Sequence, residues 1–139
     1  MSKFMKFSPF EVRERTPEER EARRKIAEGH PFGTSPQNPI LCHGVSSEYL
    51  YLRNIQTRKG AVLNLVRQAL IHTPIGVLDQ MTMAYLEDGV EHRVDLYFDF
   101  TAGEWSLDEP TGSWTLPEGF IFRDFLEIPG FENPFAAPR

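Results

Sequence analysis

The residues that could carry chemistry are one cysteine, four histidines and a scattering of carboxylates. Cys42 stands beside His43, a pair that would suit a nucleophile and its base. Adjacent residues on a strand point to opposite faces, so the base would have to come from another segment, with His72 or His92 as candidates. An enzyme would then have to assemble Cys42, His92 and Asp79 across separate strands. The ordinary alternative is that Cys42 is a small buried apolar residue.

Metal and cofactor motifs are missing from the sequence. No two histidines have the close spacing of a recognised zinc motif, and one cysteine allows neither a cysteine-rich zinc site nor an internal disulfide framework. A phosphate-binding glycine loop, a serine nucleophile elbow and a dinucleotide fingerprint are also absent. We therefore expect no metal and no cofactor, and the sequence favours a protein that is not an enzyme.

Two carboxylates lie four residues apart on a segment with strand character. Asp95 and Asp99 would be about 13 Å apart on one strand, too far to act together as a general acid and base. With Tyr97 between them they form a polar stripe. The simpler interpretation is a solvated face, and the functional one is a binding face made of Asp95, Tyr97 and Asp99.

The segment that positions this stripe is a predicted hairpin. Asp88-Gly89 is typical of a two-residue type I′ turn, which would pair Glu87 with Val90. This register predicts an apolar face on which Tyr85 faces His92, Met83 faces Val94 and Met81 faces Leu96. On the other face, Ala84 should meet Arg93, Thr82 should meet Asp95 and Gln80 should meet Tyr97. A slip of one residue would bury the charged set, so the register should be well determined.

A helix is predicted over residues 17–28. Thr16 can cap its first turn, Pro17 suits the first helical position, and Glu19 completes a capping box. Gly29 then supplies the residue that ends it. Residues 30–39, with three prolines, should form a loop.

The segment after Gly60 can be interpreted in two ways. Residues 49–56 have strand character and residues 57–60 suit a turn, so residues 61–69 could return as a strand. In that register Thr57 would face Ala61, Ile55 would face Leu63 and Tyr51 would face Arg67. Residues 61–71 also fit a helical apolar stripe, and their composition favours helix. We favour the strand because a second hairpin follows, and both would join one antiparallel meander.

These elements predict a single α+β domain, an antiparallel β-meander sheet with an N-terminal helix. The length of 139 residues and the 40% apolar content suit one globular domain. Residues 1–37 would form an arm, the helix and a proline-rich loop, and residues 38–139 an α+β core with an irregular tail. No apolar run has the length of a signal peptide or a membrane span, so a cytoplasmic location is expected.

Charge is divided unevenly along the chain, whose net charge is −5. Twelve of the 15 basic residues precede Pro74, and 13 of the 20 acidic residues follow Thr73. The two halves either neutralise each other inside the fold or leave an acidic face that attracts a basic protein partner. Nucleic acid is not an expected partner, because the only dense basic cluster is interleaved with glutamates. That cluster comprises Arg20, Arg23, Arg24 and Lys25.

Phe4, Phe7 and Phe10 recur at a spacing of three in the N-terminal arm. Exposed rings at this spacing need a surface to cover them. That surface is either the domain's own core or a partner protein, and the sequence leaves both open.

Short motifs between residues 38 and 120 resemble an ordered pattern in small, uncharacterised bacterial proteins of unknown function. They are Asn38-Pro39-Ile40, Cys42, Gly44, Glu48, Tyr51-Leu52, Gly60, Leu78-Asp79, Asp95-Leu96-Tyr97 and Pro117-Glu118-Gly119-Phe120. In that pattern the segment after Gly60 is a strand that carries an arginine like Arg67. The resemblance implies no catalytic or binding residue.

Two functions from different classes follow from these observations. The favoured one is a small protein-interaction module, of which an inhibitory module that neutralises a toxin is one form. It would use the acidic hairpin face and the aromatic arm. The alternative is a small enzyme with a pocket made of Cys42, His92 and Asp79. Proximity of His92 to a carboxylate in a pocket would favour the enzyme, whereas a flat acidic face with an exposed edge strand would favour the binder.

Overall fold

A computed structural model describes residues 11–107 and 114–123 of the chain. Its elements within those ranges are α1 (Pro17–Ala27), β1 (Ile40–Leu41), α2 (Val45–Arg53), β2 (Ile55–Thr57), β3 (Asn64–Thr73), β4 (Gly76–Glu87), β5 (Val90–Asp99) and β6 (Phe120–Phe122). A four-stranded sheet has the order β1-β5-β4-β3, and β2 pairs with β6 in a separate two-stranded sheet. The predicted α+β class is confirmed.

The hairpin of β4 and β5 is the centre of the larger sheet. Its turn residues Asp88 and Gly89 have φ values of 53° and 76°, as a type I′ turn requires. Glu87 pairs with Val90, and every cross-strand pair predicted from the turn is present. The turn therefore determined the register, and with it the separation of an apolar inner face from a polar outer face. The inner face carries Met81, Met83, Leu96 and Phe98, all buried.

β3 confirms the strand interpretation of the segment after Gly60. It pairs antiparallel with β4 along its length, with a β-bulge between Leu65 and Arg67. The predicted pairing of this segment with residues 49–56 is present next to the turn, where the Thr57 amide donates to the Ala61 carbonyl at 3.0 Å and Gln56 pairs with Val62 in an isolated antiparallel bridge. Beyond this bridge the predicted pairing is wrong, because β3 pairs with β4 instead. β1 runs parallel to β5 on the opposite side of the sheet. The sheet is therefore a meander with one short parallel strand added.

α2 replaces most of a strand that the sequence predicted over residues 49–56, and this prediction is wrong. The helix lies against the inner face of the sheet, where the Tyr51 ring meets Phe98 edge-on at 5.5 Å between centroids. Its buried positions are Ser47, Glu48, Tyr51 and Leu52, which is a helical spacing. Two of the four are polar, so the apolar period that identifies a helix is hidden in the sequence.

α1 begins as predicted, and Thr16 and Glu19 form the expected capping box. The helix lies on the outer face of the sheet, and none of its residues is buried. The segment before it is attached at Gly103, whose φ is 67° and where a Cβ would lie 2.4 Å from the carbonyl oxygen of Arg13. Only glycine permits this approach, so the backbone at Arg13 and Glu14 is held closely against the loop after β5.

Candidate functional site

The three weak catalytic candidates are not brought together. Cys42 is fully buried beside β5, and its amide donates to the Asp99 carbonyl at 3.0 Å. His92 is exposed and stacks on Tyr85 with ring centroids 5.2 Å apart. Because Tyr85 lies six residues beyond Asp79 on β4, His92 is about 20 Å from that carboxylate. No pocket therefore joins the thiol, the imidazole and the carboxylate.

Cys42 instead shares the interior with carboxyl groups. Burial raises the pKa of its thiol well above the ordinary value, and the charges of Glu48, Asp99 and Asp79 raise it further. The thiolate is the reactive form of cysteine, so this environment suppresses nucleophilic chemistry. The interpretation of Cys42 as a small core residue is the one that its surroundings favour.

Glu48 is a buried titratable residue that the sequence did not identify as a candidate site residue. It is 0% exposed on α2, and burial raises its pKa to about 10, with further contributions from a hydrogen bond and a charge interaction with Asp79. Among the described residues, no donor reaches either of its carboxyl oxygens. The contact with Asp79 is therefore a hydrogen bond only while Glu48 carries a proton, and Glu48 is a neutral acid at pH 7.

This acid belongs to a chain of side chains that links three elements. Gln68 of β3 donates to the Asp79 carboxylate at 3.2 Å, and the Tyr49 hydroxyl of α2 donates to Gln68 at 2.5 Å. Tyr49 is 38% exposed, whereas Asp79 is 3% exposed. The carboxyl pair is thus closed to solvent, and the chain fastens α2 to the sheet.

Asp99 contradicts the expectation of an exposed carboxylate on the hairpin. It is 1% exposed, with Arg15 at 2.8 Å and Arg23 at 3.0 Å from its Oδ2 atom. The assignment of Asp99 to the outer face is correct, but α1 and the preceding segment cover that face at this position. Basic residues from the start of the chain thus neutralise an acidic residue from its second half, as the first interpretation of the charge division predicted.

The rest of the predicted binding face is only partly exposed. Thr82 donates a hydrogen bond of 2.6 Å to Asp95. Burial, together with the charge of Asp95, raises the pKa of Tyr97. The acidic stripe is therefore reduced to one hydrogen-bonded carboxylate and one phenol. The other predicted binding residues, Phe4, Phe7 and Phe10, lie outside the described residues.

The outer edge of β3 is a different surface, and the sequence did not identify it as a site. Within the described ranges, no strand pairs with its free side. Three of its aliphatic side chains are 44–45% exposed: Leu65, Val66 and Leu70. Two further half-exposed residues lie beside this edge. Tyr49 donates a hydrogen bond to Gln68 of β3, and Val62 precedes the strand by two residues. The strand therefore presents ten residues of backbone and an apolar margin to solvent.

Comparisons with known proteins identify no relative: no family model matches the chain, and no curated protein or solved structure matches it significantly. Within residues 11–107 and 114–123, no three histidine, cysteine or acidic side chains are placed to hold a metal ion. In the same ranges, no helix is long and apolar enough to cross a membrane.

Proposed function

We propose that the protein is a protein-interaction module that binds an extended segment of a partner along the free edge of β3. The observation that carries this proposal is the length and exposure of that edge. Unpaired strand edges are templates for added strands, and natural proteins usually shorten, charge or cover them. β3 is ten residues long and carries one charged residue other than histidine, Arg67.

The side chains of β3 indicate the chemistry of the partner. In β-strand addition, backbone hydrogen bonds supply affinity and alternate side chains supply specificity. Leu65 and Leu70 lie on either side of Gln68 on the inner face of the sheet. Since β3 has no acidic residue, we expect a partner segment with apolar side chains at alternate positions and no basic residue opposite Arg67.

The same surface suits an inhibitory module, because occupying a partner's extended segment removes it from other contacts. The partly exposed polar stripe of the hairpin, with Asp95 and Tyr97, is a second part of the interface in this proposal. The enzyme alternative gains nothing from the geometry, since Cys42 and Asp79 are closed to solvent and His92 is distant from both.

The test compares two variants that add the same charge. Leu70→Lys places a charge on the β3 edge, and Leu86→Lys places it at the hairpin tip, where Leu86 is 67% exposed. Both positions are exposed, so either substitution should change the free energy of unfolding by no more than about 0.5 kcal/mol. The full-length chain is used to capture proteins from lysate of its source organism, and dissociation constants are then measured with the purified partner.

We expect Leu70→Lys to raise the dissociation constant by about tenfold or more and Leu86→Lys to leave it unchanged. Equal affinity in the wild type and both variants would show that the edge of β3 is not the interface. Concentration-dependent dimerisation of the wild type, abolished by Leu70→Lys, would show that the edge is occupied by a second copy instead of a different partner.

A further inference from the structure

A cleft of about 340 Å³ opens between α1 and the loops beside β1 and after β5. It lies apart from the inner face of the sheet and from the exposed aliphatic residues of β3. Its lining includes three arginines of α1, two aromatic residues and one glutamate: Arg20, Arg23, Arg24, Phe32, Trp105 and Glu104. The volume falls within the range of about 300–1,000 Å³ that is typical of small-molecule sites.

The charges of α1 are segregated at this cleft. Arginines and glutamates alternate along the helix, so its sequence predicts no net positive field. Residues three and four apart share a helix face, however, and Arg20, Arg23 and Arg24 lie on the wall of the cleft. No glutamate of α1 is on that wall. Glu21 nevertheless pairs with Arg24 at 2.5 Å from outside the wall.

The arginines are only partly neutralised by their neighbours. Arg23 shares the single carboxylate of Asp99 with Arg15, so two guanidinium groups meet one negative charge. Arg23 also donates to the carbonyl oxygen of Ile75, which fixes its position. Among the residues that the structure describes, Glu104 is the only acidic one on the cleft wall, and it lies 3.8 Å from Arg20. With the Glu21–Arg24 pair included, Arg15, Arg20, Arg23 and Arg24 meet the three carboxylates of Glu21, Asp99 and Glu104, which leaves one positive charge in excess among the described residues.

Part of the cleft wall is aromatic. Phe32 and Trp105 line it, and Trp105 is 37% exposed while its ring packs against Trp114 at 4.7 Å. Arginine side chains form charge-assisted hydrogen bonds with phosphate and carboxylate groups, and aromatic rings provide flat apolar surfaces. Both kinds of surface face one space of small-molecule size.

We propose that this cleft binds a small organic anion, in which a phosphate or carboxylate group is attached to a flat ring. Arg20 and Arg24 bind the anionic group, Arg23 holds the wall in place through Asp99, and Trp105 packs against the ring. This inference is independent of the proposed partner at the β3 edge, because the two surfaces use different residues.

The experiment titrates the full-length protein with adenosine monophosphate and with benzoate, which separate the phosphate and carboxylate sources of the charge. Adenosine and inorganic phosphate are the controls for the ring and the anion alone. Binding is measured by calorimetry and by tryptophan fluorescence, since Trp105 lies on the cleft wall. We expect saturable binding of at least one ring-bearing anion, and weaker binding of adenosine and of inorganic phosphate.

Two double variants with the same net charge locate the site. Arg20→Gln with Arg24→Gln alters the cleft but spares the buried pair of Arg23 with Asp99. Arg53→Gln with Arg58→Gln removes two exposed arginines elsewhere. We expect the first to weaken binding by about tenfold or more and the second to leave it unchanged.

Three results with the small anions would overturn the proposal. They are no saturable binding of either ring-bearing anion, equal weakening by both double variants, and binding of inorganic phosphate as tight as that of the ring-bearing anions. Binding of a single-stranded oligonucleotide without binding of either small anion would also overturn it, because the positive face would then serve a polyanion. A Leu70→Lys variant that still binds the anion would separate this site from the β3 edge.

Discussion

Replacing Glu48 by glutamine should make the protein more stable at neutral pH, although Glu48 is fully buried. The carboxyl group contacts Asp79 and has no donor of its own among the described residues. Glutamine has the shape of the protonated acid, and its amide N–H can donate to the Asp79 carboxylate in the same way. Glu48→Gln therefore keeps the contact and removes the possibility of ionisation.

The size of the stabilisation by Glu48→Gln follows from the pKa of Glu48, which is about 10 in the folded protein against an ordinary value of 4.5. Below pH 4.5 Glu48 is protonated in both the folded and the unfolded chain, so the stabilising contribution of the protonated carboxyl group is fully present. Above that pH the unfolded chain loses the proton first, and the free energy of unfolding falls by about 1.4 kcal/mol per pH unit until the folded-state pKa is passed. By pH 7 the loss is about 3 kcal/mol.

Chemical denaturation of wild type and Glu48→Gln at about pH 5 and about pH 8 measures this difference. The two proteins should be nearly equal at the lower pH, and the variant should be more stable at the higher pH. Glu19 does not interfere, because hydrogen bonds from Arg13 and the Thr16 backbone lower its pKa to about 2. Glu118→Gln, at an exposed position, is the matched control and should behave as the wild type does.

A stability difference between wild type and Glu48→Gln that does not change with pH would refute this reasoning. Such a result would mean that Glu48 ionises at its ordinary pKa in the folded protein. A variant less stable than the wild type at the higher pH would show that the amide cannot replace the acid beside Asp79.

Further substitutions test the outer face and the turns by thermal unfolding. Asp99→Asn should destabilise the protein by about 3–5 kcal/mol, because two arginines lose their buried carboxylate. Asp95→Asn should cost about 1 kcal/mol, since it weakens one partly buried hydrogen bond. Gly89→Ala should cost about 1 kcal/mol for its positive φ alone, as nothing lies within 4 Å of the added Cβ. Gly103→Ala should cost more, because its Cβ would also meet the backbone of Arg13.

Each of these has a result that would contradict it. Equal losses for the two aspartate variants would mean that Asp99 is not held by its arginines. Equal losses for the two glycine variants would mean that the close approach at Gly103 relaxes without cost. An unchanged unfolding temperature for Gly89→Ala would mean that the tip of the hairpin tolerates a different turn.

The amino-acid sequence by itself determined the local elements whose signals lie within a few residues. The capping box at Thr16 and Glu19 starts α1 because it satisfies free N–H groups of the first turn. Asp88-Gly89 selects a turn that accepts positive φ, and the two-residue loop then determines the pairing of β4 with β5. The α+β class followed from these signals.

Only the tertiary structure decided which polar residues face the interior, and this is where the sequence predictions failed. Glu48 occupies a buried helical position, so the period of α2 could not be recognised until the helix was packed on the sheet. The alternation of β5 places Asp99 on the outer face, where a solvated side chain is expected. Arg15 and Arg23, however, bind it from more than 70 residues away. Burial and charge pairing depend on contacts between distant segments, and residue spacing along one strand or helix carries no information about them.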